Sequence, residues 1–445
     1  MKSYDFIKKH LLEKKDFNYL DSRFFFNIEL YCKELNENYE LLSEQDEINC
    51  LIKDLVISFS EKYGTTISAK QRQLIDDLDN GGRVVLFPYQ PNIFPSVSVF
   101  APAVHMEVIR KVMLKKYRKR IIPLFMFVDY DNCTDKRFLK AYVPNPGQNS
   151  SKRIISYTVD NEDSKDAIFA TPLPQPETIS RWKKEFQESI MHFSNIVKKY
   201  DETESEKINK NIQKLLSIID NSYDSATSFA SFNELFIEDI LVNQWDCGIL
   251  FVEGRELHNR SKKVLLKLEN NKERINNLLI EAIDCFSQDG LTTSFPIHID
   301  KKTLLWKYKF SCKMRCSKSS SCFELCKPDY LFPSVIADYL MDYINIHKIG
   351  GIGYYKQFEA TCVSEYILKR AYNIGGVPQF LSSVSIDFIS SYANEKGVPI
   401  ASEFKRLKYD YDKYLKSTQD SHCSILFCAS ILGIQETYDF IENIV

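Results

Sequence analysis

Two apolar runs separated by one amphipathic segment constrain the fold of this chain most. The first run, residues 83–87, is short and rich in β-branched side chains, and the second opens the stretch "IIPLFMFVDYDN" at Ile121. Between them, residues 97–116 repeat apolar side chains on one helical face. A strand, a helix and a second strand in this order form a parallel crossover unit, which binds ligands at the carboxyl ends of its strands. The pattern therefore predicts an α/β fold around a parallel sheet.

A proline-rich turn follows the first predicted strand, in the segment "FPYQPN". Pro88 and Pro91 fix the backbone angle φ and remove amide donors, so we expect the turn to be rigid. A rigid turn at the carboxyl edge would hold Gln90 and Asn92 toward a ligand. The alternative is a stiff connection with no other role.

Polar side chains also follow the second predicted strand, where Asp129, Asp131 and Asn132 occur within four residues. Two carboxylates and an amide could bind a substrate amine, a hydroxyl or a hydrated metal, and a shielded carboxylate could act as a base. Alternatively, Asp131 and Asn132 form only an Asx turn. The spacing leaves both interpretations open.

The remaining chain divides by the change in pattern. Apolar residues recur every three or four positions from Trp182 to Ile219 and predict an antiparallel helix pair, and residues 249–252 predict a further strand followed by a helix near His258 or Asn259. The predicted segments are an N-terminal helical segment ending at two glycines (1–82), the first part of the core (83–175), the inserted helix pair (176–235), the second part of the core with a cysteine-rich insertion at 312–326 (236–378), and a C-terminal segment of mixed α/β and helical character (379–445).

Composition narrows the class of partner. The chain has 445 residues, of which 44% are hydrophobic, so it can bury a large core. Its 58 basic and 60 acidic residues nearly cancel, which argues against nucleic acid or a membrane surface as the partner and favours small-molecule substrates. The N-terminal sequence lacks the continuous apolar run of a signal peptide, and we expect a cytoplasmic protein without a membrane span. The oligomeric state stays open.

Four cysteines form the most unusual cluster: Cys312, Cys316, Cys322 and Cys326. Four thiolates satisfy tetrahedral zinc and leave no open position, so a zinc ion here would be structural. The spacing is wider than in common zinc fingers. If Cys322 and Cys326 lie on a strand, they share one face and could equally be small buried hydrophobic residues.

A glycine-rich segment, "GGIGYYKQF", follows later in the chain. Gly350 would let the backbone approach a ligand that Tyr354 and Gln357 could cover. The glycine spacing matches neither the dinucleotide-binding fingerprint nor the P-loop. The alternative is a tight turn into a helix.

Five segments, in this order, resemble the cysteine-adding enzyme of bacillithiol synthesis, which attaches cysteine to glucosaminyl malate. They are "VVLFPYQPNIFPS", "PLFMFVDYDN", "WDCGILFVEGRELHNRSKK", "PDYLFPSV" and "GGIGYYKQF", and the similarity runs from Tyr39 to Lys416. Gln90 keeps a glutamine of the family's first motif, whereas Pro88 and Asn92 replace glycines. The family's histidine in the acidic segment is missing, and Gly351 stands where the family has a glutamate. Later matches are Asp329, Leu331, Pro333, Gly350, Tyr354 and Gln357.

The resemblance implies a Rossmann-like core related to class I synthetases and nucleotidyl transferases. It also implies a ligase that forms an amide bond between an amino acid, with cysteine as the first candidate, and an amine or sugar-derived acceptor. Gln90 and Asn92 would position the acceptor, and Asp129 or Asp131 would hold the amino group and remove its proton. Asn132, Asp329, Gly350, Tyr354 and Gln357 would complete the substrate pocket, with an adenine nucleotide as the candidate cofactor. We expect no C-terminal coiled coil of the kind that dimerises family members.

A second interpretation belongs to another functional class. Because the histidine and the glutamate of the family motifs are replaced, the chain could be a catalytically silent protein that binds a nucleotide or metabolite, or a partner subunit on the same fold. Ligand binding without turnover would distinguish this interpretation from a ligase.

Overall fold

The computed structural model describes residues 28–37, 45–95, 97–129, 139–144, 152–158, 168–199, 201–260, 297–300, 305–308, 347–348 and 424–443. In chain order the helices and strands are α1 (Ile28–Glu37), α2 (Gln45–Tyr63), α3 (Ala69–Asp79), β1 (Arg83–Tyr89), α4 (Val97–Val112), β2 (Ile121–Phe127), β3 (Lys140–Pro144), β4 (Lys152–Ser156), α5 (Pro176–Lys198), α6 (Glu202–Asp224), α7 (Phe229–Glu238), β5 (Leu250–Glu253), α8 (Gly254–Arg260), β6 (Ile297–Asp300), β7 (Leu305–Tyr308), β8 (His347–Lys348), α9 (Ile425–Leu432) and α10 (Ile434–Asn443).

The centre of the fold is a four-stranded parallel sheet in the order β5-β2-β1-β8. Strand β2 pairs along its whole length with β1, from Arg83 opposite Ile121 to Tyr89 opposite Phe127. On its other side, β2 pairs with β5, and β1 pairs with β8, again in parallel. The α/β class and the first three predicted strands are therefore confirmed. Two antiparallel pairs, β3-β4 and β6-β7, lie outside this sheet.

Both faces of the sheet are apolar, as a parallel sheet between helical layers requires. Alternating residues of β1 illustrate this: Val84 and Leu86 pack with residues of α2 and α3, whereas Val85 and Phe87 pack with residues of α4 and α7. All seven residues of β2 are buried. The continuous apolar run that predicted β2 is thus the signature of a strand covered on both sides.

The predicted helix pair is confirmed by α5 and α6. Lys183 near the start of α5 pairs with Asp220 near the end of α6 at 2.6 Å, and Ser194 near the end of α5 lies 2.9 Å from Ser205 near the start of α6. These two contacts establish that the helices run antiparallel. The apolar stripe from Trp182 is packing, because it faces the main core.

Three predicted boundaries differ from the structure. Strand β1 continues through Pro88 to Tyr89, two residues beyond the predicted end. The α-helical geometry of α4 ends at Val112, and one π-helical turn follows from Met113 to Tyr117. The helix predicted to begin near His258 begins at Gly254, directly after β5. This last difference matters, because it places the first turn of α8 at the carboxyl edge of the sheet.

The last two helices dock onto the loop that follows β1. The Ser424 hydroxyl caps α9 and donates to the carbonyl of Phe94 at 2.8 Å, and the amide of Ile425 donates to the carbonyl of Pro95 at 2.8 Å. The indole of Trp245 donates to the carbonyl of Ile434 at 2.7 Å. Residues of the predicted C-terminal segment therefore belong to the same core as the sheet.

In the part of the chain that the structure describes, none of the helices has the length and apolar character needed to span a membrane.

Candidate functional site

The carboxyl edge of the sheet brings together three of the carboxylates that the fold buries. Because β2 and β5 are parallel neighbours, Phe127 and Glu253 lie opposite each other where the two strands end. Glu253 is the last residue of β5, and Asp129 follows β2 by two residues. Each carboxylate thus stands at a carboxyl end of the sheet, where open α/β folds bind ligands.

Asp129 is fixed through its backbone and its side chain. Its carbonyl accepts a hydrogen bond from the amide of Phe169 at 2.9 Å, and its Oδ1 accepts one from the amide of Arg255 at 3.0 Å. The Arg255 Nε lies 3.1 Å from Oδ2 as an ion pair, but the orientation does not meet hydrogen-bond geometry. The Asp129 side chain is fully buried.

Glu253 accepts three donors on one oxygen. Its Oε1 lies 2.6 Å from Lys62 Nζ, 2.6 Å from the Tyr63 hydroxyl and 3.2 Å from Arg255 Nη2. Lys62 and Tyr63 come from the last turn of α2, and Arg255 from the first turn of α8. Glu253 therefore ties two helices to the end of β5.

Glu234 completes the site from α7. Its side chain is only 1% exposed, its Oε2 receives a long hydrogen bond of 3.4 Å from the Tyr63 hydroxyl, and its Oε1 has no hydrogen-bond partner. Carboxylate oxygens of Asp129, Glu234 and Glu253 all lie within 4.8 Å of one another. These three residues are the carboxylate cluster.

Burial distributes protons unevenly over the carboxylate cluster. Burial and the neighbouring Glu253 raise the pKa of Asp129 to about 7. Burial, with Glu253 and Asp129 nearby, raises the pKa of Glu234 well above its usual range. Burial also opposes ionisation of Glu253, but Arg255 and Lys62 outweigh it and hold the pKa of Glu253 below its ordinary value. Without a further cation, the negative charge is therefore concentrated on Glu253.

Aromatic rings line the sheet beneath the carboxylate cluster and keep the surroundings apolar. Phe127 stacks against Phe251 with ring centroids 5.8 Å apart and against Phe59 at 5.9 Å. The Arg255 guanidinium lies 4.7 Å from the ring centroid of Phe169. A low local dielectric strengthens each charge interaction at this edge.

The arrangement offers groups of both signs. Three carboxylates can hold a divalent cation or an ammonium group, and oxygen donors of this kind suit magnesium, manganese or calcium. Arg255 and Lys62 are 24% and 37% exposed, and both can face an anionic group such as a phosphate or carboxylate.

Of the predicted site residues, Asp129 lies in the carboxylate cluster. Gln90 and Asn92 lie beyond the end of β1. The Val128 amide donates a 2.8 Å hydrogen bond to the Tyr89 carbonyl and so links the end of β2 to the end of β1. The Asn92 side-chain amide donates to the Tyr89 hydroxyl at 3.0 Å, and its Oδ1 is buried without a hydrogen bond. The other predicted residues lie outside the described part of the chain: Asp131, Asn132, Asp329, Gly350, Tyr354, Gln357, Cys312, Cys316, Cys322 and Cys326.

Sequence reasoning missed most of the residues that meet Asp129. Glu253 and Arg255 come just after a predicted strand, as Asp129 does. Glu234 stands in "FASFNELFIE", where a carboxylate inside an otherwise apolar helix is itself a signal of a buried charge. Lys62 and Tyr63 carry no comparable signal, because a helix commonly ends on such residues.

No family model matches the chain, and no curated protein matches it either. The resemblance to cysteine-adding enzymes therefore depends on the five ordered segments alone.

Proposed function

We propose that this chain is a ligase of small-molecule biosynthesis that forms an amide bond. Its substrates would be an amino acid, with cysteine as the first candidate, and an amine or sugar-derived acceptor. The core on which this reaction takes place would be Rossmann-like and related to class I synthetases. The five ordered segments support this substrate class, and the parallel α/β sheet is compatible with the core.

Amide formation requires charges of both signs at one point. The amine nitrogen attacks an activated carboxyl carbon, the new C–N bond forms, the bond to the leaving group breaks, and the amine gives up a proton. Positive charge on the amine side and negative charge on the leaving group must both be stabilised in the transition state.

The observation that carries the proposal is the meeting of Asp129, Glu234 and Glu253 at the carboxyl edge beside two cations. The carboxylate cluster would hold positive charge at the reaction centre. Arg255 and Lys62, which are only partly buried, would stabilise an anionic leaving group. The carboxylate cluster and the two cations would then stabilise the opposite charges that develop on the amine and on the leaving group.

The proposed activating cosubstrate is an adenine nucleotide. A carboxylate oxygen would attack the α- or γ-phosphorus of ATP, which forms an acyl adenylate and releases pyrophosphate or forms an acyl phosphate and releases ADP. Displacement by the amine would then release AMP or phosphate. The cationic pair Arg255 and Lys62 would face that phosphate. The proposal therefore predicts nucleotide turnover that depends on both the amino acid and the acceptor.

The test incubates the full chain with ATP and magnesium, individual amino acids, and a panel of amines and amino sugars. Mass spectrometry detects the amide product, and release of AMP or phosphate measures turnover. Asp129→Asn should lower turnover about 100-fold or more. Asp54→Asn is the matched control, because Asp54 is exposed on α2, and it should retain wild-type activity.

Two results would contradict this proposal, the first by excluding the ligase and the second by excluding the role of the carboxylate cluster. The first is binding of nucleotide or amino acid with no amide product in any mixture, which would favour a silent binding protein. The second is product formation that Asp129→Asn leaves unchanged, because the carboxylate cluster would then have no part in the reaction.

A further inference from the structure

The carboxylate cluster is assembled from three separate elements and is closed to solvent. Asp129 follows β2, Glu234 lies in α7 and Glu253 ends β5, so no local turn geometry explains why they meet. Their exposed fractions are 0%, 1% and 4%. Burying three ionised carboxylates together costs a great deal of free energy unless a cation or protonation neutralises them.

The two cations of the site neutralise only part of this charge. Lys62 and Arg255 both bond to Oε1 of Glu253, the oxygen that also receives the Tyr63 hydroxyl. Arg255 Nε also lies 3.1 Å from Oδ2 of Asp129 as an ion pair, whereas Glu234 Oε1 is buried and makes no hydrogen bond. Buried carboxylate oxygens almost always have a partner, so Glu234 Oε1 is available to bind a positively charged ligand.

The distances fit a small metal ion. In octahedral coordination with bonds of about 2.1 Å, neighbouring ligand oxygens are about 3 Å apart and opposite ones about 4.2 Å. The carboxylate oxygens here lie within 4.8 Å of one another, so side-chain shifts that shorten these distances by up to about 1.8 Å would bring the oxygens to these spacings around one ion. All three donors are oxygens, which favours magnesium or manganese over the softer zinc or copper.

We propose that Asp129, Glu234 and Glu253 bind one divalent cation, Mg²⁺ or Mn²⁺. The role of the ion rests on the proposed function: the positive charge at the reaction centre is a metal ion that would bind the phosphate of the activated substrate. A substrate ammonium group is the rival occupant, and the near-complete burial of all three carboxylates favours the smaller ion.

The surrounding residues support this assignment by orienting the ligands. The backbone amide of Arg255 fixes Oδ1 of Asp129, and the Arg255 Nε lies 3.1 Å from Oδ2. Lys62, Tyr63 and Arg255 together hold Oε1 of Glu253. Partners of this kind around metal ligands set their orientation and affect affinity.

The test titrates Mn²⁺ into the full chain after treatment with a chelator and its removal, and follows the loss of the free Mn²⁺ signal by electron paramagnetic resonance. We expect one Mn²⁺ per chain, displaced by Mg²⁺. Glu234→Gln should weaken binding about tenfold or more. Glu238→Gln is the matched control, because Glu238 is a buried carboxylate one turn further along α7, and its affinity should stay within about twofold of wild type.

Asp129→Asn provides a second variant if Glu234→Gln does not fold, with circular dichroism as the check. As an independent readout, Mn²⁺ should raise the thermal midpoint of wild type and of Glu238→Gln but not of the cluster variants. Absence of Mn²⁺ binding, or binding that the cluster variants leave unchanged, would overturn the metal site. If the metal-free wild-type chain binds cysteine and Glu234→Gln abolishes this binding, the metal site is overturned and a substrate ammonium group is the occupant.

These outcomes separate the metal site from the ligase. If a chain that binds no Mn²⁺ forms the amide product in the presence of chelator, the metal site is excluded and the ligase is supported. If Mn²⁺ binds at the carboxylate cluster but no mixture gives amide product, the ligase is excluded and the metal site is supported.

Discussion

The backbone amide of Arg255 donates a 3.0 Å hydrogen bond to Oδ1 of Asp129, 126 residues earlier in the chain. This bond joins the first turn of α8 to the loop after β2, and the Arg255 side chain adds ion pairs to Asp129 and Glu253. One residue therefore links both strand ends of the carboxylate cluster.

Arg255→Met should lower the free energy of unfolding by about 3 kcal/mol, because it leaves two buried carboxylates without their shared cation. Urea unfolding measures the loss, and Arg260→Met, an exposed change in the same helix, is the control. Equal stability of the two variants would contradict the assigned role of Arg255.

Tyr63→Phe should cost about 1–2 kcal/mol of unfolding free energy, since the hydroxyl bonds to Glu253 at 2.6 Å and to Glu234 at 3.4 Å. Lys62 and Arg255 remain on Glu253, so the loss should be smaller than for Arg255→Met. Chemical denaturation measures it, with the half-buried Tyr117→Phe as a comparison. A Tyr63→Phe protein as stable as wild type would show that the Tyr63 hydroxyl does not stabilise the site.

Glu238 should make stability depend on pH. Burial, with Asp239 nearby, raises its pKa to about 7 in the folded chain, from 4.5. Between these values the folded state binds more protons than the unfolded state, so stability falls as pH rises from 4.5 to 7. Glu238→Gln should therefore be more stable than wild type at pH 8, by up to about 3 kcal/mol, and equal to it near pH 4. Thermal unfolding at both pH values measures this difference, and a difference independent of pH would contradict the assignment.

Trp245→Phe should destabilise the docking of the C-terminal helices. The substitution removes the indole donor to the carbonyl of Ile434 and trims contacts with Phe100 and Tyr438. We expect a loss of about 2 kcal/mol, which reflects an unpaired buried carbonyl together with lost packing. Equilibrium unfolding tests this, and an unchanged midpoint would mean that the bond contributes nothing.

The sheet was predictable because its strands are covered on both faces. A strand buried on both faces has a continuous run of apolar residues, and β1, β2 and β5 all show this pattern in the sequence. The helix pair α5 and α6 was predictable for the complementary reason, since each helix exposes one face and repeats its apolar residues at helical spacing.

The sequence allows a residue to be assigned to this edge of the sheet only where a polar residue follows a strand. Asp129 met that rule, and Glu253 met it too but was overlooked because the helix after β5 was expected four residues later. Glu234, Lys62 and Tyr63 reach the site through the packing of α7 and α2 against the sheet. Such a meeting of residues up to 191 positions apart is a property of tertiary structure, and no local pattern encodes it.

The most direct measurement is a crystal structure of the full chain grown with Mn²⁺, a non-hydrolysable ATP analogue and cysteine. We expect an anomalous manganese peak bound by Asp129, Glu234 and Glu253, with the phosphates beside Arg255 and Lys62. Nucleotide and metal bound at the opposite, amino edge of the sheet, near Arg83 and Ile121, would contradict it.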